Sequence, residues 1–191
     1  RAASLFARGQ DARGLVEEAH GRLGPGQEAL GLRADACLGK GLYRLGFPVE
    51  ARRWLLRAAA RAERAGAREV EAEALAELAE LSWEEGASAE SVRWMERAVG
   101  VLAGSGSDLA WGAAVRLAGF LWGVERDEEA RTVLAPIRQR FLGRLRGPVR
   151  AEWALIHGLL YGDEVRTLLL PGSGVEERVR RRLAAGRRGD G

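Results

Sequence analysis

One feature constrains this chain above all others, which is a pattern of residues that recurs about every 40 positions. Four aliphatic residues set the register at spacings of 40, 39 and 39 residues: Leu38, Leu78, Leu117 and Ile156. An aromatic residue follows each of them five positions later: Tyr43, Trp83, Trp122 and Tyr161. A coherent period of 20–50 residues is the mark of a solenoid, in which each unit buries its apolar face only against its neighbours.

Each repeat reads as a pair of helices. The chain is rich in Ala, Leu, Glu and Arg, which are good helix formers, and glycine-containing breaks divide it into segments of helical length. Small residues recur within the repeat, where they let paired helices approach closely: Gly39, Ala79 and Ala118, then Ala51, Ser91 and Ala130. Larger residues follow them at Leu55, Met95 and Leu134. Ser107 or Asp108 is placed to cap the helix that follows the break at 104–108.

This spacing resembles that of tetratricopeptide repeats. The resemblance is carried by Leu38-Gly39, Leu42, Gly46, Ala51, Leu55 and Ala58, and by their counterparts in the next two units. Glu125 stands where the third unit should have its turn glycine, and the period of 39–40 exceeds the usual 34, which implies longer helices or longer connections. The resemblance implies an all-α fold, a right-handed superhelix of about four helical hairpins over residues 1–170, with a basic tail at 171–191.

The long period is also similar to the helical sensor or interaction regions of large bacterial transcription activators of the maltose-regulator and LuxR kind. That second resemblance implies a role in transcription regulation, with a small effector bound in an apolar pocket near Gly119 and Trp122. It is an alternative to the principal hypothesis, which is non-catalytic binding of a protein or peptide partner.

The tetratricopeptide resemblance implies that the first helix of each pair lines a concave groove. Carrying those positions onto this chain gives the predicted groove residues: Arg33, Lys40, Tyr43, Arg44, Glu73, Glu80, Trp83, Glu84, Val115, Trp122 and Tyr161. Aromatic anchors flanked by charges suit a peptide-binding surface. The alternative is that these aromatics pack between helices as core, which is the interpretation favoured for Trp54 and Trp94 in the second helices.

Two charged stripes have a similar pair of interpretations. One is acidic and the other basic: Glu69, Glu73, Glu77, Glu80 and Glu84, and Arg53, Arg57, Arg61 and Arg64. The glutamates could receive a basic partner segment. Alternatively, the two stripes are solvated faces that attract each other across the helix pair, each exposed ion pair contributing only ~0.2–1 kcal/mol.

The residues that carry most enzyme chemistry are scarce. Cys37 is the single cysteine, so no internal disulfide forms, and we expect it to be a small core residue. His20 and His157 are the only histidines and lie far apart. We therefore expect no enzyme, cofactor or metal site. No apolar run reaches the ~18–20 residues that span a bilayer, so we expect a cytoplasmic protein without a membrane partner.

The charge is unevenly distributed. Of 30 basic residues 29 are arginine, and Lys40 is the only lysine. Residues 138–191 hold 12 arginines and six acidic residues, whereas the rest of the chain is mildly acidic. A second alternative is therefore nucleic-acid binding through the tail, with contacts from Arg178, Arg180, Arg181 and Arg182; the tail could equally dock on the glutamates of another copy in a homo-oligomer.

Overall fold

The computed structural model describes residues 28–140, together with Gly14, Glu18 and Ile156. Within this part of the chain there are helices and short connections but no strand, which confirms the all-α prediction. Six helices follow in order: α1 Glu28–Arg44, α2 Pro48–Arg64, α3 Arg68–Glu84, α4 Ser88–Val101, α5 Asp108–Gly123 and α6 Asp127–Arg140. None of these helices is long and apolar enough to cross a membrane.

Long helices account for the 40-residue period. Helices α1, α2 and α3 each have 17 residues, and connections of three residues separate them, so that helix and connection together take 20 residues. Two such steps make one repeat. The period therefore exceeds that of a usual tetratricopeptide repeat because its helices are longer, and its connections remain short.

Four of the five connections are Schellman turns, each with one residue at positive φ: Gly46, Gly66, Gly86 and Glu125. In the first turn, the N–H of Phe47 donates to the carbonyl of Leu42 at 2.9 Å. The N–H of Gly46 donates to the carbonyl of Tyr43 at 3.0 Å. This pair of bonds satisfies carbonyls at the helix end and requires a left-handed residue, for which glycine is preferred. Glu125 adopts the same conformation, at φ 62°, despite its side chain.

The helices divide between two compact units, residues 1–81 and residues 82–191. In the first unit, α1 packs against α2. The core there is a cluster of buried residues, with Tyr43 and Phe47 packed against it: Leu38, Leu42, Ala51, Trp54 and Leu81. Gly39 lies so close to α2 that a Cβ on it would stand 2.7 Å from Cγ of Leu55. The prediction that this position must be small is confirmed.

In the second unit, α5 packs against both α4 and α6. Trp83 and Phe120 are fully buried and their ring centroids are 4.9 Å apart. Ser107 caps α5, because its hydroxyl accepts a hydrogen bond from the N–H of Ala110 at 3.2 Å. Ser91 and Ala130, two of the predicted small positions, are fully buried.

One ion-pair group lies on the surface of the second unit. The guanidinium of Arg126 donates two hydrogen bonds of 2.6 Å to the carboxylate of Glu129, and its Nη2 lies 3.5 Å from Glu96. Hydrogen bonding to Glu129 raises the pKa of Arg126, and the same bonds lower the pKa of Glu129. These charges are exposed, so they orient the start of α6 without forming part of the core.

Candidate binding surface on the first helices

Helices α1 and α3 are the first helices of consecutive repeats, and in the first unit they lie side by side. Lys40 of α1 donates a hydrogen bond to Glu77 of α3. Near the starts of the two helices, residues of both line one depression. We define the α1–α3 surface by the accessible residues on these facing stripes: Leu30, Arg33, Lys40 and Arg44 of α1, and Glu69, Glu73 and Glu77 of α3. Their spacing of three, four or seven positions places each set on one helix face.

An apolar depression of about 370 Å³ lies at the start of this surface. The described residues that line it come from α1, from the α2–α3 turn and from α3: Leu30, Arg33, Gly66, Ala67, Arg68, Glu69 and Val70. The side chain of Leu30 is 60% exposed. Exposing a large aliphatic side chain beside a depression with a charged rim is typical of a surface that accepts an apolar group from a partner.

The Lys40–Glu77 pair joins the two helices farther along. The side chain of Lys40 is 42% exposed, whereas that of Glu77 is only 14% exposed. Glu73 lies one turn before Glu77 and is exposed, as is Glu69 one turn earlier. The surface thus has basic residues along α1 and acidic residues along α3, with one ion pair bridging the two rows.

The other side of α1 contains a buried ion pair that the sequence analysis did not identify. Asp35 is fully buried, and its Oδ2 accepts a hydrogen bond of 2.5 Å from Nη1 of Arg61 in α2. Nε of Arg57 lies 3.7 Å from the same oxygen, and its guanidinium also lies over the ring of Trp54 at 4.8 Å from the centroid. A buried carboxylate requires such partners, because an uncompensated charge in the core is strongly destabilising.

This network corrects one expectation about the basic stripe of α2. Its arginines were expected to face the glutamates of α3, but Arg57 and Arg61 turn to Asp35 instead. An aspartate within the buried residues of an otherwise apolar helix face was the available signal, since such a residue needs a cationic partner.

Three predicted groove residues are buried, which corrects the expectation that they present a surface to a partner. Glu80 is 6% exposed, and Trp83 and Val115 are fully buried. Trp83 packs against Phe120. The repeated aromatic position fixes the helix face in the repeat, but the depth of burial depends on the neighbouring residues.

The other predicted groove residues differ in accessibility. Arg33, Arg44, Glu73 and Glu84 are exposed, whereas Lys40, Tyr43 and Trp122 are half-buried. Tyr161 lies outside the described residues. Their role in binding a partner stays a prediction.

Two further expectations about single residues are corrected. Cys37 is exposed and is not a core residue. Trp54 is buried as predicted, but Trp94 is only half-buried and its indole N–H donates to Glu90 at 3.1 Å.

The alternatives have less support from the described residues. At Gly119, where an effector pocket was expected, a Cβ would stand 2.9 Å from Cδ1 of Ile156, so this side chain occupies the space. The arginine-rich tail lies outside the described residues, as do His20 and His157, and nucleic-acid binding stays a prediction. Across the part of the chain that is described, no three His, Cys, Asp or Glu side chains cluster to hold a metal ion.

Comparison with known proteins supports the fold. No protein-family model matches the chain, and no curated protein matches it. A crystal structure from Podosopora anserina, of a protein assigned as a kinesin light chain with nearly identical TPR-like repeats, is similar to it with a TM-score of 0.63. The two share 16% identity, and the match covers 99% of this chain and 90% of that one. The chain therefore has the fold of a tetratricopeptide-like helical-repeat protein.

Proposed function

We propose that the chain is a non-catalytic binding protein that holds a protein or peptide partner on the α1–α3 surface. The observation that carries the proposal is the depression at the start of this surface, where the exposed Leu30 lies among apolar and charged residues of both helices. An apolar side chain of a partner would enter the depression, and polar groups beside it would meet the charged rim.

The charge pattern supports an extended contact in addition to this anchor. Arg33 lies at the depression, and Glu73 lies about one turn of helix farther along α3. Exposed charges of this kind contribute little affinity individually, about 0.2–1 kcal/mol, but they select partners and set the register of binding. We expect the affinity to come mainly from the apolar anchor and the selectivity mainly from the two charged rows.

A matched pair of substitutions tests the anchor. A phage-displayed library of random peptides would be selected on the chain, and the selected peptides would be titrated against Leu30→Asp and Val49→Asp. Both residues are exposed aliphatic residues of the first unit, but Val49 lies on α2 and outside the α1–α3 surface. We expect Leu30→Asp to weaken binding by roughly tenfold or more, as loss of a central anchor does.

The control should bind the selected peptides with the affinity of the natural chain, and both variants should keep their melting temperature because the replaced side chains are solvated. Equal affinity of the natural chain and Leu30→Asp for every selected peptide would exclude the depression as the binding site.

A further inference from the structure

Lys40 is chemically unique in this chain. Every other basic side chain among the 30 is a guanidinium, and only Lys40 has an amine. A guanidinium stays protonated, whereas the neutral form of a lysine amine is nucleophilic and is the target of acylation. Among the side chains of the 191-residue sequence, acylation of an amine is therefore directed to this one position.

The location of Lys40 makes a change in its charge consequential. Its side chain is 42% exposed, so a reagent can reach it, and its ammonium contacts Glu77 on the neighbouring α3. The carboxylate of Glu77 is less accessible, at 14%, and depends more on its partner than an exposed carboxylate would.

We propose that Lys40 is an acylation site and that acylation breaks the ion pair between α1 and α3. The neutral amine forms a bond to the carbonyl carbon of an acyl phosphate or acyl thioester. The bond from that carbon to the phosphate oxygen or thiol sulfur breaks, and the leaving group departs with its electron pair. The amine nitrogen releases one proton to water, and the product is a neutral amide.

Acylation changes the α1–α3 surface in two ways. The amide cannot neutralise Glu77, so a partly buried carboxylate is left without its cation. The surface also loses one positive charge between Arg33 and Arg44, and the acidic row of α3 is no longer balanced at its centre. The expected result is a looser junction between the two helices and a more negative surface.

The experiment treats the full chain with acetyl phosphate, locates the modification by peptide mass spectrometry and measures the melting temperature. Lys40→Arg serves as the control, because it keeps the positive charge and cannot form this amide. It also accounts for any reaction at the amino terminus. Lys40→Gln serves as an untreated mimic of the neutral product.

We expect acetylation at Lys40 to lower the melting temperature of the natural chain by about 2–6 °C. The mimic should melt correspondingly lower without treatment, and treatment should not shift Lys40→Arg. In Glu77→Gln, where no ion pair exists, acetylation should produce little further change. An acetylated chain that melts with the unmodified one, or a treated chain without acetyl-Lys40, would overturn the proposal. None of these measurements uses a peptide ligand, so the outcome is independent of the binding function proposed above.

Discussion

The α1–α2 hairpin and the α5–α6 hairpin follow the same repeat pattern but are stabilised by different chemistry. In α1–α2, a fully buried Asp35 is held by arginines of the second helix, and one of those arginines also covers a tryptophan ring. In α5, all eight buried residues are nonpolar or glycine. The charged residues of α5–α6 remain at its exposed turn, where Arg126 pairs with Glu129.

The difference shows which features the repeat determines. Both hairpins have a Schellman turn at the same place and buried small residues at the same offsets, so the repeat fixes helix spacing and turn geometry. Residues between the repeated positions decide whether the interior contains charge. We therefore expect the two hairpins to respond differently to substitution and to salt.

The largest effect should come from the apolar hairpin. Phe120→Ala removes a fully buried ring that packs against Trp83, and we expect the free energy of unfolding to fall by about 3–5 kcal/mol. Urea denaturation monitored by circular dichroism measures this change. The loss should be nearly independent of salt. A loss below about 1 kcal/mol would mean that the Trp83–Phe120 contact does not support the second unit.

The matching substitution in the charged hairpin is Asp35→Ala. We expect a loss of about 2–3 kcal/mol, because it leaves Arg61 without its charged hydrogen-bond partner while both arginines still reach solvent. The same denaturation experiment in an Arg61→Ala background should give a smaller loss for Asp35→Ala. Additive losses would show that the two side chains are not coupled.

Close helix packing can be compared at two glycines. A Cβ at Gly39 would meet the side chain of Leu55 at 2.7 Å and its backbone nitrogen at 3.2 Å, so Gly39→Ala should cost about 1–2 kcal/mol. At Gly119, the atom met at 2.9 Å is the flexible end of Ile156. There the higher helix propensity of alanine, about 1 kcal/mol, should offset the crowding. Thermal unfolding of both variants tests the contrast, which equal losses would contradict.

The turns offer a smaller comparison. Glu125 has a positive φ where the first hairpin has Gly46, so Glu125→Gly should stabilise the chain by up to about 1 kcal/mol. The reciprocal Gly46→Glu should destabilise it by about the same amount. Chemical denaturation of both variants measures these changes. A destabilised Glu125→Gly would show that the glutamate side chain makes a compensating interaction.

The smallest expected effect concerns a position shared by the repeats. Ser91 is fully buried, and its hydroxyl has no hydrogen-bond partner within the described residues. Ala51 and Ala130 occupy the same offset and are also fully buried. Ser91→Ala should therefore stabilise the chain by about 0.5–1 kcal/mol, measured by differential scanning calorimetry. Destabilisation would indicate that the hydroxyl fills space that the alanine leaves empty.

The sequence predicted the fold well because the repeat is a property of spacing. Close approach of paired helices requires small residues at fixed offsets, and Gly39, Ala79 and Ala118 are all buried as expected. The turn residues were also visible, including the exceptional Glu125. The cap was predicted as Ser107 or Asp108, and the structure selects Ser107.

The candidate site was less predictable because burial depends on residues distant in sequence. Tyr43 and Trp83 share one repeat position, yet Tyr43 is half-buried and Trp83 fully buried. Glu80 belongs to the same periodic stripe as Glu73, but it is buried and Glu73 is exposed. Periodicity assigns a side chain to a helix face, whereas the partner helix decides how much of that face is covered.

The regular placement of the left-handed residues has a consequence for how such a chain can change length in evolution. Positive φ occurs at Gly46, Gly66, Gly86 and Gly106, a step of 20 residues each time. Recombination between Gly46 and Gly86 would remove one first helix and one second helix and rejoin equivalent turns. Recombination between Gly46 and Gly66 would instead exchange the roles of all later helices. Gain or loss in whole pairs is therefore the change that this backbone can absorb.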